Sequence, residues 1–127
     1  MSKKYYPAIF HPEEQGYSVI IPDLAGCYTQ GDSMDEAFEM AQDAIGLYVE
    51  GMASLPVPSA LESIPVEKPD FITLIAYDPM AYRRKHDAKS VKKTLTIPSW
   101  LNDAAEAAHL NFSSILQSGL KQQLHLD

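Results

Sequence analysis

Lys92, Thr94 and Thr96 recur at every second position of Val91-Lys92-Lys93-Thr94-Leu95-Thr96-Ile97. In an extended chain that period sets all three on one face and Val91, Lys93, Leu95 and Ile97 on the other. The polar face can hydrogen-bond to base edges: a lysine suits guanine acceptors, and threonine offers a hydroxyl and a methyl. Exposed strand faces are polar in most proteins, so the pattern alone also fits a solvated surface. Further on, Asn111, Ser113 and Ser114 stand at a helix start, where free amides and hydroxyls can seat a phosphate, although most helix caps bind nothing.

Residues suited to bond-making chemistry are present but not patterned for it. Acids are plentiful, yet no convergent set of carboxylates for two-metal hydrolysis can be placed. Asp23, in Ile21-Pro22-Asp23-Leu24-Ala25-Gly26-Cys27, fits a turn or cap. His11, His86, His109 and His125 show no metal-ligand spacing and no pairing with Cys27. Cys27, the sole cysteine, stands in an apolar and aromatic context and reads as a small buried hydrophobe. Trp100, at the cap region of the chain's second helix, reads as a packing residue. No nucleophile elbow, phosphate loop or dinucleotide fingerprint occurs. The expectation is a protein that is not an enzyme, with no catalytic residue, no metal site and no cofactor.

The elements that must position these groups follow from periodicity. Residues 3–11, 17–21 and 27–30 read as three strands of an antiparallel meander, with a polar turn ending in Gly16 between the first two. Ser33-Met34-Asp35-Glu36 matches a capping box, and Ala37, Met40, Ala41, Ala44, Ile45, Tyr48 and Met52 then recur at helical spacing. That predicts an amphipathic helix over 33–53. Pro56, Pro58, Pro65 and Pro69 mark an extended connection. Phe71 to Tyr77 is a nearly continuous apolar run, which predicts a strand buried inside the sheet. Residues 79–90, with the basic run Arg83-Arg84-Lys85, read as a charged hinge.

Beyond it the chain reads as strand, helix, helix. Pro98-Ser99 gives a stop and an N-cap, followed by a stripe of Leu101, Ala104, Ala105 and Ala108. Asn111 caps the next helix, whose stripe is Ile115, Leu116, Leu120 and Leu124. Gly119, which costs about 1 kcal/mol relative to alanine in a helix, fits a close crossing with a partner subunit or is incidental. A lone short strand leaves both backbone edges unpaired. The nearest partner for 91–97 is the same segment of a second copy, and two such strands form a ribbon that fits the DNA major groove.

Charge divides along the chain. Residues 1–78 hold three basic and thirteen acidic residues, a balance of −10, whereas 79–127 hold seven basic and four acidic, a balance of +3. The tail therefore tolerates an acidic polymer, and the front suits a basic protein. No charged leader with an apolar core opens the chain, and no apolar run approaches about 18 residues. The expectation is a cytoplasmic protein without membrane contact.

Strand–helix–helix with the Lys92–Pro98 run and the Leu110–Ser114 turn resembles the ribbon-helix-helix repressors over about residues 91–126. The resemblance implies base contacts from Lys92, Thr94 and Thr96, and a phosphate clamp at Asn111, Phe112 and Ser113. Lys93 departs from it, standing where apolar residues are common. Residues 6–52, especially the hairpin into IPDLAGCYTQGDS and the helix opening DEAFEMAQDAI, resemble the HicB-type antitoxins. That resemblance extends over nearly the whole chain. It implies an α+β fold: a β-β-β-α-β partial RNase H-like domain over 1–78 that binds and occludes a small basic HicA-type toxin, an mRNA-cleaving ribonuclease. It also implies a hinge at 79–90 and a β-α-α ribbon-helix-helix dimerisation domain over 91–127 that represses the pair's own operon. The implied partners are the toxin, operator double-stranded DNA and a second copy through 91–126, with pairing of dimers into tetramers left open. For the toxin contacts the residues offered are Asp32, Asp35, Glu36 and Glu39, which equally suit a solvated helix start. The alternative is a ligand-responsive ribbon-helix-helix repressor whose front domain senses a small molecule. A third reading is a working metal-dependent hydrolase.

Overall fold

Among the residues described by the computed structural model, 3–87 and 89–126, the chain forms two compact units that divide after Lys89. The first unit holds strands β1 (Lys4–Pro12), β2 (Tyr17–Ile20) and β3 (Tyr28–Gly31), helix α1 (Met34–Val49), a 3-10 turn (Leu61–Ser63), strand β4 (Phe71–Tyr77) and helix α2 (Pro79–His86). The second holds helices α3 (Ser99–Ala107) and α4 (Phe112–Gln123).

The four strands form one antiparallel sheet in the order β3-β2-β1-β4. The meander is as expected, but β4 is an edge strand and not an interior one. Its apolar run has another cause. Ile75 and Tyr77 are buried in the core under the helices, while Leu74, one register step away on the opposite face, is exposed. Strand β1 is interior, as is β2; β1 pairs with β4 from Lys4↔Tyr77 to Phe10↔Phe71 and with β2 only from Ile9↔Ile20 onward. Pro7 therefore falls where β1 has a single strand neighbour, the one setting in which a missing N–H costs no second ladder.

Tyr6, Ala8 and Phe10 of β1 alternate toward α1 and are fully buried, together with Val19, Ala37, Ala41, Ile45 and Ile75. Phe10 sits at the centre of an aromatic cluster with Tyr17, Phe38 and Phe71, its ring centroids 5.2–5.9 Å from theirs. The alanines on α1 let the helix lie close to the sheet. At Gly31 the approach is closest, because a Cβ there would collide with the backbone of Ala37.

Helix α1 begins as its capping sequence predicts: the Ser33 hydroxyl accepts from the Glu36 amide at 3.1 Å. The Glu36 carboxylate reaches back one residue further than expected, to the Asp32 amide at 3.1 Å. The helix stops at Val49, short of the predicted residue 53, because Glu50 turns out of helical dihedrals (φ −56°, ψ 129°).

The span 79–90, expected as a hinge, carries a helix over its first eight residues. Asp78 caps it by accepting from the Met80 amide at 3.0 Å, and Pro79 occupies the first turn, where a missing N–H costs nothing. Helix α2 docks on α1 through Tyr82, whose ring fills the space that a Cβ on Gly46 would need. The Tyr82 ring also lies 4.3 Å, centroid to centroid, from the imidazole of His86.

Candidate functional site

Three groups of residues carry the expected functions, and the structure treats each differently. In the tail unit, residues 91–98 have no regular secondary structure, and Lys92, Thr94 and Thr96 are all exposed. The predicted strand is not formed in the single chain. A strand is defined by its ladder, and none of the described residues pairs with this segment. The apolar alternates Val91, Leu95 and Ile97 are exposed as well, and so is Trp100, expected as a packing residue.

The tail helices are amphipathic, yet no side chain of either is buried. Leu101 on α3 and Phe112, Ile115, Leu116 and Leu120 on α4 all face solvent, as does Leu124 just beyond α4. Helix α3 starts at Ser99, with Pro98 in the cap position and no side-chain cap bond, so Ser99 is not the N-cap the sequence suggested. The Pro98 carbonyl instead accepts from the Leu101 and Asn102 amides, both at 3.1 Å. Asn111 does cap α4, accepting from the Ser114 amide at 3.0 Å. Asn111 Oδ1 is thus engaged by the helix itself, while Phe112 and Ser113 stand exposed at the helix start.

Two histidines missed as structural residues close these helices. His109 and His125 adopt left-handed backbone (φ 55° and 58°). The Leu110 amide then donates to Ala105 O at 3.1 Å, and the Leu126 amide to Lys121 O at 2.7 Å. Both are six-to-one closures that usually carry glycine at the left-handed position, so the histidines hid them from sequence reading.

The acidic set divides. Asp32, Asp35, Glu36 and Glu39 are all exposed at the start of α1. Glu36 is committed to the helix cap, and Glu39 accepts from Lys85 Nζ at 3.0 Å. Lys85 also bonds both oxygens of Asp43, at 3.0 and 3.1 Å, and His86 Nε2 lies 3.3 Å from Asp43 Oδ1. Partial burial raises the Asp43 carboxyl, but the Lys85 and His86 contacts outweigh it and hold the group below its ordinary value. The Lys85 ammonium is raised by its bonds to Asp43 and Glu39. The basic run of α2 is therefore partly spent on α1's own acids, a pairing across more than forty residues that the sequence did not reveal.

Asp23 holds the proline-rich connection, accepting from the Ser59 amide at 2.7 Å and the Ser59 hydroxyl at 2.6 Å. Cys27 is buried, as expected, and burial pushes its thiol up. Among the described residues no group of three or more His, Cys, Asp or Glu is placed to hold a metal ion. Among the described residues, the surface of the first unit includes two depressions. One, of about 260 Å³, lies between Gln42, Asp43, Tyr77, Tyr82 and Lys85; the other, of about 240 Å³, lies between Gly26, Cys27, Tyr28, Ala44, Leu47 and Tyr48.

Residues 6–119 match the family model described as "HicB_like antitoxin of bacterial toxin-antitoxin system". The chain is 31% identical over 116 residues to Antitoxin HicB 2 of Photorhabdus laumondii subsp. laumondii, covering 86% of this chain and 84% of that protein. It is similar in structure to a chain of a toxin-antitoxin complex from Streptococcus pneumoniae, with a TM-score of 0.58 and 27% identity over 96% of this chain and 99% of that one. It also shares the fold of the antitoxin HicB of Burkholderia pseudomallei, with a TM-score of 0.50 and 22% identity over 96% and 97% of the two chains.

Proposed function

This chain belongs to the HicB-like antitoxin family of bacterial toxin-antitoxin systems, and on that footing we propose that it neutralises a HicA-type, mRNA-cleaving ribonuclease by occlusion and represses its own operon as a dimer. The two tasks belong to different units. The front unit presents a strongly acidic surface, which attracts a basic, RNA-binding protein and repels RNA itself. Its part is to cover the toxin's working face, so it needs no chemistry of its own and acts without a cofactor. A toxin partner has a parallel in the Streptococcus pneumoniae relative, which is described as part of a toxin-antitoxin complex.

The tail unit supplies DNA binding and self-association. The observation that carries this reading is the state of residues 91–124 in one copy: a segment without regular secondary structure followed by two helices with exposed apolar stripes. Such a unit buries too little to be stable alone, and a second copy would supply both the missing ladder and the missing cover. In that dimer, residues 91–97 form a two-stranded ribbon. Lys92, Thr94 and Thr96 point into the major groove, and the start of α4 at Asn111, Phe112 and Ser113 meets phosphate.

Operator binding by variants tests the tail. Thr94→Ala with Thr96→Ala should relax sequence choice by ~1–3 kcal/mol for each threonine that meets its base well. Lys92→Ala should also flatten the salt dependence if that ammonium meets phosphate. Unchanged sequence preference would rule out a groove-reading ribbon. Growth rescue tests the front unit: a chain lacking residues 91–127 should still protect cells from the toxin. Loss of protection by a fragment that still folds would place the toxin contacts in the tail.

A further inference from the structure

The two edges of the sheet differ. At β4 the carbonyl of Ala76 accepts a bond from Gln42 Nε2 at 3.0 Å, and the strand is in contact with the 3-10 turn of the connection. At β3 no described residue pairs with the outer edge. Natural edges are usually guarded by charge, proline or a bulge. Cys27-Tyr28-Thr29-Gln30-Gly31 has no charge and no proline, and its register with β2 is unbroken from Ile20↔Tyr28 to Tyr17↔Gly31.

Both flanks of this edge are apolar. Tyr28 is 68% exposed and shares the sheet face of Ile20, its register partner, which is also exposed. On the helix side the depression at Gly26–Tyr28 is walled by Ala44, Leu47 and Tyr48, with Leu47 68% exposed. Met40, one turn before Ala44 on α1, is exposed too. The opposite flank of α1 is already occupied by α2, through Gly46, Glu39 and Asp43. An incoming strand would find backbone partners along residues 28–31. Its alternate side chains would meet Tyr28 and Ile20 on one face, and Leu47 and Ala44 on the other. Asp32, directly after β3, and Glu36, bonded to the Asp32 amide, put negative charge at the end of the edge.

We propose that the open edge of β3 and the apolar flank of α1 beside it receive a β-strand of a basic protein, and that this protein is the toxin. The assignment rests on the antitoxin reading above. It moves the main toxin contacts from the acids at the start of α1 to the neutral edge and its two apolar flanks, leaving Asp32 and Glu36 as charged rim. Specificity then comes from alternate side chains, and much of the affinity comes from backbone bonds that sequence alone does not display.

The test uses the full chain and a small basic HicA-type toxin, inactivated so that it can be purified. Tyr28→Lys and Leu47→Lys place a guard charge on each flank, and both positions are solvent-exposed, so the fold should survive. Val57→Lys, on the exposed connection, is the matched charge control. Each edge variant should bind on the order of 30-fold more weakly than the parent, as expected for a central interface residue, and the control should bind as the parent does. Hydrogen exchange at residues 28–31 should slow when the toxin binds. If the parent binds toxin while both edge variants bind equally well and exchange at 28–31 is unchanged, the edge assignment is wrong and the antitoxin reading stands. If the parent binds no toxin, both fall. If the variants lose only self-association, the edge belongs to a second copy and the proposal is overturned.

Discussion

His109 and His125 hold left-handed backbone at the ends of α3 and α4, a conformation that costs a residue with a Cβ roughly 1–2 kcal/mol. His109→Gly should therefore raise the stability of the full chain by about 1 kcal/mol in chemical denaturation. No gain would mean that the imidazole makes contacts in the assembled protein that offset the strain. A different histidine answers to pH. His11 Nδ1 lies 2.5 Å from Asp70 Oδ1, joining β1 to the residue that precedes β4, and its ring is raised above the ordinary imidazole value. The hydrogen bond to Asp70 is the main cause; desolvation opposes it, and the charges of Asp70 and Glu13 add to it. Protonated His11 binds its proton more tightly in the folded chain than in the unfolded one. Its stabilisation is complete below about pH 6.5 and is lost as pH rises through the raised value. The stability difference between the parent and His11→Ala should accordingly shrink at alkaline pH, and a difference that grows with pH would reverse the assignment.

Helix α2 shows how an element can depend on one absent side chain. Its two turns bury nothing fully, and it is held by Tyr82 against Gly46 and by the Lys85 and His86 contacts to α1's acids. Gly46→Ala favours α1 by about 1 kcal/mol in helix propensity but puts a methyl where the Tyr82 ring lies. Hydrogen exchange should speed up across 79–86 while the sheet keeps its protection; unchanged exchange there would mean that Tyr82 does not carry the docking. The sequence did not show α2, because Met80, Ala81 and Tyr82 followed by four basic residues give no apolar period. The Asp78-Pro79 start was the available signal, and the run Arg83-Arg84-Lys85 drew the reading toward a charged hinge. Elements with their own period were legible, among them α1, the meander and the cap at Asn111. The edge position of β4 was not, because an apolar run reports burial of side chains and says nothing about how many neighbours the backbone has. The cap role of Glu36 was legible in its capping box, but the commitment of Glu39 and Asp43 to Lys85 depends on contacts more than forty residues apart in sequence.

On the scale of the whole chain, the two units differ in what they bury. The front unit closes its own core around Tyr6, Phe10, Ile45 and Ile75, whereas no residue of the tail helices is buried in a single copy. Within the front unit the proline-rich connection between α1 and β4 is tied down at intervals. Tyr6 donates its hydroxyl to Pro56 O at 2.6 Å, Ser59 binds Asp23 through both backbone and side chain, and Leu55 packs on the core. A protease must draw a pliable stretch of backbone into its cleft, and exposure alone does not provide one. Limited digestion of the intact chain should spare residues 55–60 despite their many exposed side chains, and Asp23→Ala should open them to cleavage. Wherever the chain meets a protease, those few bonds would decide whether the acidic half is severed from within or survives as one piece.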